Sequence, residues 1–255
     1  MKGMFLYLFS TMALLSACSS GTEKMVGAEE EADNLAFVLE GDSTVYGLVC
    51  DGCTDTILVF LPADNISADP DTFNILNATR RRHVFGELKV GDNIAVVRNS
   101  NDSTVADYVI DMESLLATWC YKVMPALRVR ADMVGKNERQ IVNNLPDSIR
   151  ELLDIAREYS MQIKGDHSVT SRGFFRPGED ENAIVQYPHV KRYGQWHLFN
   201  GRLLLKELAF DTLGNTYISN IDTAEFMLMR KDTLVLKFNS EGGQPDVRSY
   251  YVKKE

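Results

Sequence analysis

The sequence is short of the side chains that most chemistry needs. It holds four cysteines and four histidines in 255 residues, and they are not grouped as a tetrahedral zinc site requires. Beside Cys50 and Cys53, the candidates for a second ligand pair are Cys120 and the scattered His83, His167, His189 and His197, none at ligand spacing. No metal or other cofactor is expected. Positive charge is also in deficit: 27 basic residues against 36 acidic ones leave a net charge of −9, so nucleic acid, whose binding depends on neutralised phosphates, is not an expected partner. The apolar run from Met4 to Leu15 is too short for a bilayer, which takes about 20 residues.

That run follows Lys2 and ends in Ser16-Ala17-Cys18, the make-up of a signal peptide over residues 1–17. Leu15-Ser16-Ala17-Cys18 resembles the lipobox of bacterial lipoproteins. The resemblance implies cleavage before Cys18, thioether lipidation of that residue and acylation of its new amino group. An ordinary signal with an incidental cysteine is the plainer alternative, but Cys18 falls where the apolar run gives way to small residues. Two or more acyl chains make a stable anchor, so the membrane is the first expected partner. Residues 18–34 read as a solvated tether carrying Glu29-Glu30-Glu31. Ser19 stands where the enterobacterial sorting pattern places Asp for inner-membrane retention, so the expected location is the outer membrane, on its periplasmic or surface face. Cleavage would remove Lys2 and no acid, leaving 26 basic against 36 acidic residues.

The rest divides into two β-rich regions. Residues 35–111 alternate short apolar stretches with turn signals, as in VYGLV, DTILVF and KVGDNIAVV, and show no helical stripe. About five strands in some 75 residues fit a small barrel, and the succession resembles an OB-type barrel. Residues 112–255 are punctuated more sharply. Asn200-Gly201 between WHLF and RLLLKEL is a strong hairpin signal, because both turn residues tolerate positive φ. Strands are expected at Trp119–Val123, Met161–Lys164, Ser168–Phe175, Tyr193–Phe199, Arg202–Phe210, Thr216–Ser219, Ala224–Met229, Leu234–Phe238 and Arg248–Val252. Such a meander closes most naturally into an up-and-down barrel. One helix interrupts it: Pro146-Asp147-Ser148 opens it, and Ile149, Leu152, Leu153, Ala156 and Tyr159 give it an apolar face to lay on the barrel. LLATWCYKV, the helix insert and YGQWHLFNGRLLLKEL…FMLMRKDTLVLKF…YYVKK together resemble the lipocalin-like domains of Bacteroidetes-type lipoproteins, over 112–255. Ala117 departs from the Gly usual before that Trp.

The visible motifs carry little catalysis. Cys50-Asp51-Gly52-Cys53 lies between strand-like residues, whereas a redox CxxC opens a helix that lowers the first thiol's pKa. It reads as a type I′ hairpin turn with the cysteines facing one another across its mouth. Gly41-Asp42-Ser43 looks like the first block of GDS-type esterases, but no histidine has the Asp three residues before it that the family's base requires, and a strand follows Ser43. Arg80-Arg81-Arg82-His83 could grip a carboxylate or phosphate and reads more simply as a solvated loop. Asp-Ser and Asp-Thr at Asp42, Asp55, Asp102, Asp147, Asp211, Asp222 and Asp232 resemble a Bacteroidetes O-glycosylation pattern and are also ordinary turn and cap formers.

Trp119, Tyr121, Trp196 and Phe226 sit at alternating strand positions that can face the barrel interior. They fill a core or line a pocket for one small ligand. The reading is thus a non-enzymatic, lipid-anchored envelope protein binding a small apolar or amphipathic molecule. Its rival is an interaction or scaffolding lipoprotein with packed barrels and an envelope protein as partner. An open pocket of several hundred cubic ångströms would separate the two.

Overall fold

A computed structural model describes residues 40–128, 135, 137–173, 185–239 and 245–253. Cys18, the signal segment and the tether lie outside them, as do Phe174 and Phe175 at the end of one expected strand. The protein is mainly β. Its first sheet joins β1 (Thr44–Val49), β2 (Ile57–Pro62), β3 (Asp71–Asn74), β4 (Val84–Phe85), β5 (Asn93–Arg98) and β6 (Ala106–Asp111) in the order β3-β2-β1-β5-β6-β4. A parallel bridge from Asn74 to Val105, with the Asn74 amide donating to Thr104 at 2.8 Å, brings β3 round to the β6 end and curls the sheet into a small barrel. Phe60 and Phe73 meet edge to face at 5.5 Å in its core, with Leu58, Ile94 and Val96 around them. Gly47 is required by space: a Cβ there would lie 2.2 Å from the Leu61 carbonyl oxygen.

A short helix, α1 (Leu76–Arg81), corrects the expectation that the first region has none. It buries only Ala78 and so leaves no periodic stripe. Arg80 and Arg81 form its last turn and Arg82 its left-handed cap at φ 61°, where cations suit the carbonyl end. The basic run is therefore a helix terminus rather than a loop, and His83 stacks on Tyr108 with ring centres 4.3 Å apart. The Cys50–Cys53 turn also differs from expectation. Gly52 has a positive φ and Asp51 does not, so it is not type I′. The thiols are free, and Cys53 Sγ accepts the Val59 amide at 3.2 Å.

After α2 (Met112–Leu115), the second sheet takes up β7 (Thr118–Val123), β9 (Arg157–Ile163), β10 (Val169–Arg172), β12 (Tyr193–Phe199), β13 (Arg202–Phe210), β14 (Thr216–Arg230), β15 (Thr233–Phe238) and β16 (Asp246–Val252). Their order, β10-β9-β7-β16-β15-β14-β13-β12, is an antiparallel meander whose last strand pairs with its first. A single bridge, Ser168 to Gln195, links β10 to β12, so the eight-stranded barrel is nearly closed. Asn200 and Gly201 have φ of 47° and 78°, as the Asn-Gly hairpin requires. The stretch read as two strands, at Thr216–Ser219 and Ala224–Met229, is the single strand β14, with Asp222 inside it rather than in a turn.

Between β7 and β9 lie β8 (Ala126–Leu127), α3 (Glu138–Asn143) and α4 (Asp147–Leu153); β8 pairs with β11 (Val185–Gln186). The insert differs from the expected helix. α4 stops at Leu153, and Tyr159 belongs to β9, where Tyr159, Met161 and Ile163 alternate inward. Leu152 is 43 % exposed and α4 buries no residue, so it packs no apolar face against the rim.

The two sheets share a core within the compact unit Glu40–Glu255. β5 sends Ile94 and Val96 into the small barrel and Ala95 to the large one; β6 divides Val109 and Ile110 the same way. This double burial explains the unbroken apolar run Ile94–Val97.

Candidate functional site: a cavity at the split seam of the large barrel

The short turns of the large barrel, at 164–168, 200–201 and 231–232, all lie at the end that meets the small barrel. Here the interior is full. Phe85, Ala95 and Ile110 of the small barrel and Leu115 of α2 close the end beneath Trp119, Leu203 and Leu234. Trp119 is fully buried and donates its indole N–H to the Leu115 carbonyl at 2.9 Å. Trp196 donates likewise to the Lys164 carbonyl at 2.8 Å, and Phe226 meets Phe85 at a tilt of 36° with ring centres 5.3 Å apart. Three of the four aromatic positions singled out by alternation are therefore packed core.

The fourth, Tyr121, lies in the other half of the barrel, whose lining is polar and aromatic. A cavity of about 1070 Å³ opens there, bounded by Tyr121, Lys122, Tyr159, Lys191, Asp246 and Arg248, with Val123, Met124, Pro188, His189, Val247, Ser249 and Tyr251 completing its wall. Its position follows from strand pairing. β7 bonds fully to β9 on one side and β16 fully to β15 on the other, yet β7 and β16 pair with each other only at Tyr251↔Cys120 and Val252↔Trp119. Beyond Cys120 the two strands part, and the cavity occupies the split.

The charged groups here are positioned through ion pairs. Asp246 accepts from Arg248 Nε at 2.8 Å and Nη2 at 2.6 Å, and the guanidinium lies 5.0 Å from the Phe238 ring centre and 5.8 Å from that of Tyr121. Burial works against the Arg248 charge, but Asp246 and the neighbouring tyrosines outweigh it and raise its pKa. Lys191 Nζ donates to both oxygens of Asp222, at 2.9 and 2.6 Å, and Glu207 stands 3.9 Å away. Tyr193 also donates to Asp222, and burial followed by that carboxylate pushes its pKa far up. Burial raises the Tyr121 pKa as well, keeping its hydroxyl a neutral donor.

The Gly41-Asp42-Ser43 block is taken up by packing between the sheets. The Ser43 hydroxyl and amide donate to Asn200 Oδ1 at 2.7 and 2.9 Å, while Asp42 Oδ1 accepts the Asn200 amide at 3.1 Å. Among the described residues, no three His, Cys, Asp or Glu side chains group as metal ligands would. No family model, curated protein or solved structure matches this chain.

Lys191, Asp246 and Arg248 escaped the sequence reading. Their signal was present: Asp246 and Arg248 occupy the same inward alternation as Tyr250 and Val252, and charges at such positions mark a barrel that is not filled throughout.

Proposed function

We propose that this protein is a binding protein rather than an enzyme, and that it holds one small amphipathic molecule in the open half of its eight-stranded barrel. The observation that supports this most is the 1070 Å³ cavity, with Tyr121 and Tyr159 beside Arg248 and Lys191. Its size lies at the upper edge of the range of small-molecule sites, and its polar groups converge on one region. The same reading keeps Cys18 as a lipid anchor on the outer membrane, because the lipobox resemblance offers the attachment. Native mass spectrometry of the full chain purified from its host tests the binding: a co-purifying small molecule is expected, and the bare protein mass alone would count against it. Cys18→Ala should abolish membrane fractionation, and a variant that still pellets with membranes after a salt wash would remove the anchor.

A second reading, as an interaction protein, draws on the β13–β14 hairpin. β12 pairs with β13 only as far as Glu207, and β15 meets β14 only from Ala224. The remainder stands out as a two-stranded ribbon with Phe210, Tyr217, Ile218 and Ile221 exposed and Leu213 85 % exposed at its tip. Chemical cross-linking in host membranes separates the readings, since a partner captured by wild type and lost in Ile218→Lys would favour the interaction protein.

A further inference from the structure

We infer that the split between β7 and β16 is an anion site: it seats the acidic head of an amphiphile that enters through the barrel wall. This deepens the proposed function and rests on it.

Hydrogen-bonding capacity is the first argument. Asp246 is the one carboxylate among the thirteen residues of the cavity wall, against the cations Lys122, Lys191 and Arg248, in a chain of net charge −9. Asp246 is already engaged by Arg248, and Lys191 by Asp222 and Glu207 behind the wall. The donors are less completely used. Arg248 has five N–H groups, of which Asp246 and the Tyr250 hydroxyl take only part. The Tyr121 and Ser249 hydroxyls and the Lys122 ammonium have no side-chain hydrogen bond or ion pair among the described residues. A cavity with spare donors and occupied acceptors calls for a ligand that accepts, and a carboxylate or phosphate accepts most strongly.

The backbone adds to the same count. In an antiparallel pair, alternate residues turn N–H and C=O toward the same neighbour. Lys253 donates to the Thr118 carbonyl at 3.1 Å, and Val252 donates the other way, to Asp232, at 3.2 Å. That parity aims the main-chain groups of Lys122, Val247 and Ser249 into the split, beyond the last ladder pair. A bound molecule can satisfy amides there that the ladder does not.

Side-chain direction identifies the route. Tyr121 and Arg248 face inward while Lys122 and Ser249 face outward, yet all four border one cavity. The site therefore passes through the wall, with Tyr121, Tyr159, Val123 and Met124 available to an apolar body.

Titration calorimetry of the full chain with dodecanoate, dodecanol and dodecyltrimethylammonium tests this. Dodecanoate should bind tightest, followed by dodecanol, with the cation weakest. Arg248→Gln should weaken dodecanoate by roughly ten-fold or more and leave dodecanol within about two-fold, the difference expected of a hydrogen bond to a charged group. Lys122→Glu, a change on the exposed face of β7 opposite Glu158 of β9, should weaken dodecanoate several-fold and reduce the salt dependence of its binding. Dodecanol bound as tightly as dodecanoate would overturn the anion site and leave the binding function standing. Undiminished dodecanoate affinity in Lys122→Glu would overturn entry through the wall. If none of the three probes binds, the proposed function falls and this inference with it.

Discussion

His197 shows how one side chain ties the two sheets to pH. It is buried on the outward face of β12, its Nε2 is 4.0 Å from Asp42 Oδ2, and its pKa is lowered from 6.5. Burial is the main cause, Asp42 opposes it, and His167 and Lys206 add to the lowering. A group whose native pKa lies below its unfolded one binds protons more readily when unfolded. Stability is therefore complete above about pH 6.5 and falls as the pH drops toward the native value, by at most about 1.4 kcal/mol per pH unit. Chemical denaturation across this window should show the decline in wild type and a flatter profile in His197→Gln; equal slopes would assign the acid sensitivity elsewhere. Tyr193 offers a second case. Tyr193→Phe removes a donor from Asp222, which keeps Lys191 and Asn220 as partners, so the loss should be about 1–2 kcal/mol in unfolding free energy.

At the scale of elements, β12 and β13 begin and end where the pattern places them, because Asn200-Gly201 fixes both register and turn. The helices were less legible. α1 and α3 span six residues each, too few for a face to repeat, and Tyr159 satisfies both a helical period from Ile149 and the strand alternation that it obeys. With Leu152 exposed, Leu152→Ala should change stability by no more than about 0.5 kcal/mol in a urea titration. A loss several times larger would mean that α4 is packed after all. The seam left no trace in the alternation, since β7 and β16 alternate alike along paired and parted segments, and its one sign in the sequence was the charge at the inward positions Asp246 and Arg248. Hydrogen exchange should reveal it directly: the amides of Lys122, Val247 and Ser249 are expected to exchange well before those of Leu234 and Leu236, which lie between two strands.

Across the whole molecule, alternation distinguishes inward from outward positions but says nothing of height along the barrel axis. That is why Trp119, Tyr121, Trp196 and Phe226 looked equivalent, although three lie in the plug and one in the cavity. The plug also joins the sheets, because Phe85, Ala95 and Ile110 are core to the large barrel while their strands build the small one. Trp119→Ala should therefore cost about 3–5 kcal/mol and lower the stability of both sheets in one transition. The central claim, a barrel filled at one end and open to a ligand at the other, is tested most directly by methyl NMR of the methionines during titration with dodecanoate. Met124 lines the cavity, whereas Met161 and Met229 are buried in the plug. The account predicts that the Met124 methyl signal shifts while those of Met161 and Met229 stay in place. Shifts at Met161 and Met229 with Met124 unmoved would contradict it.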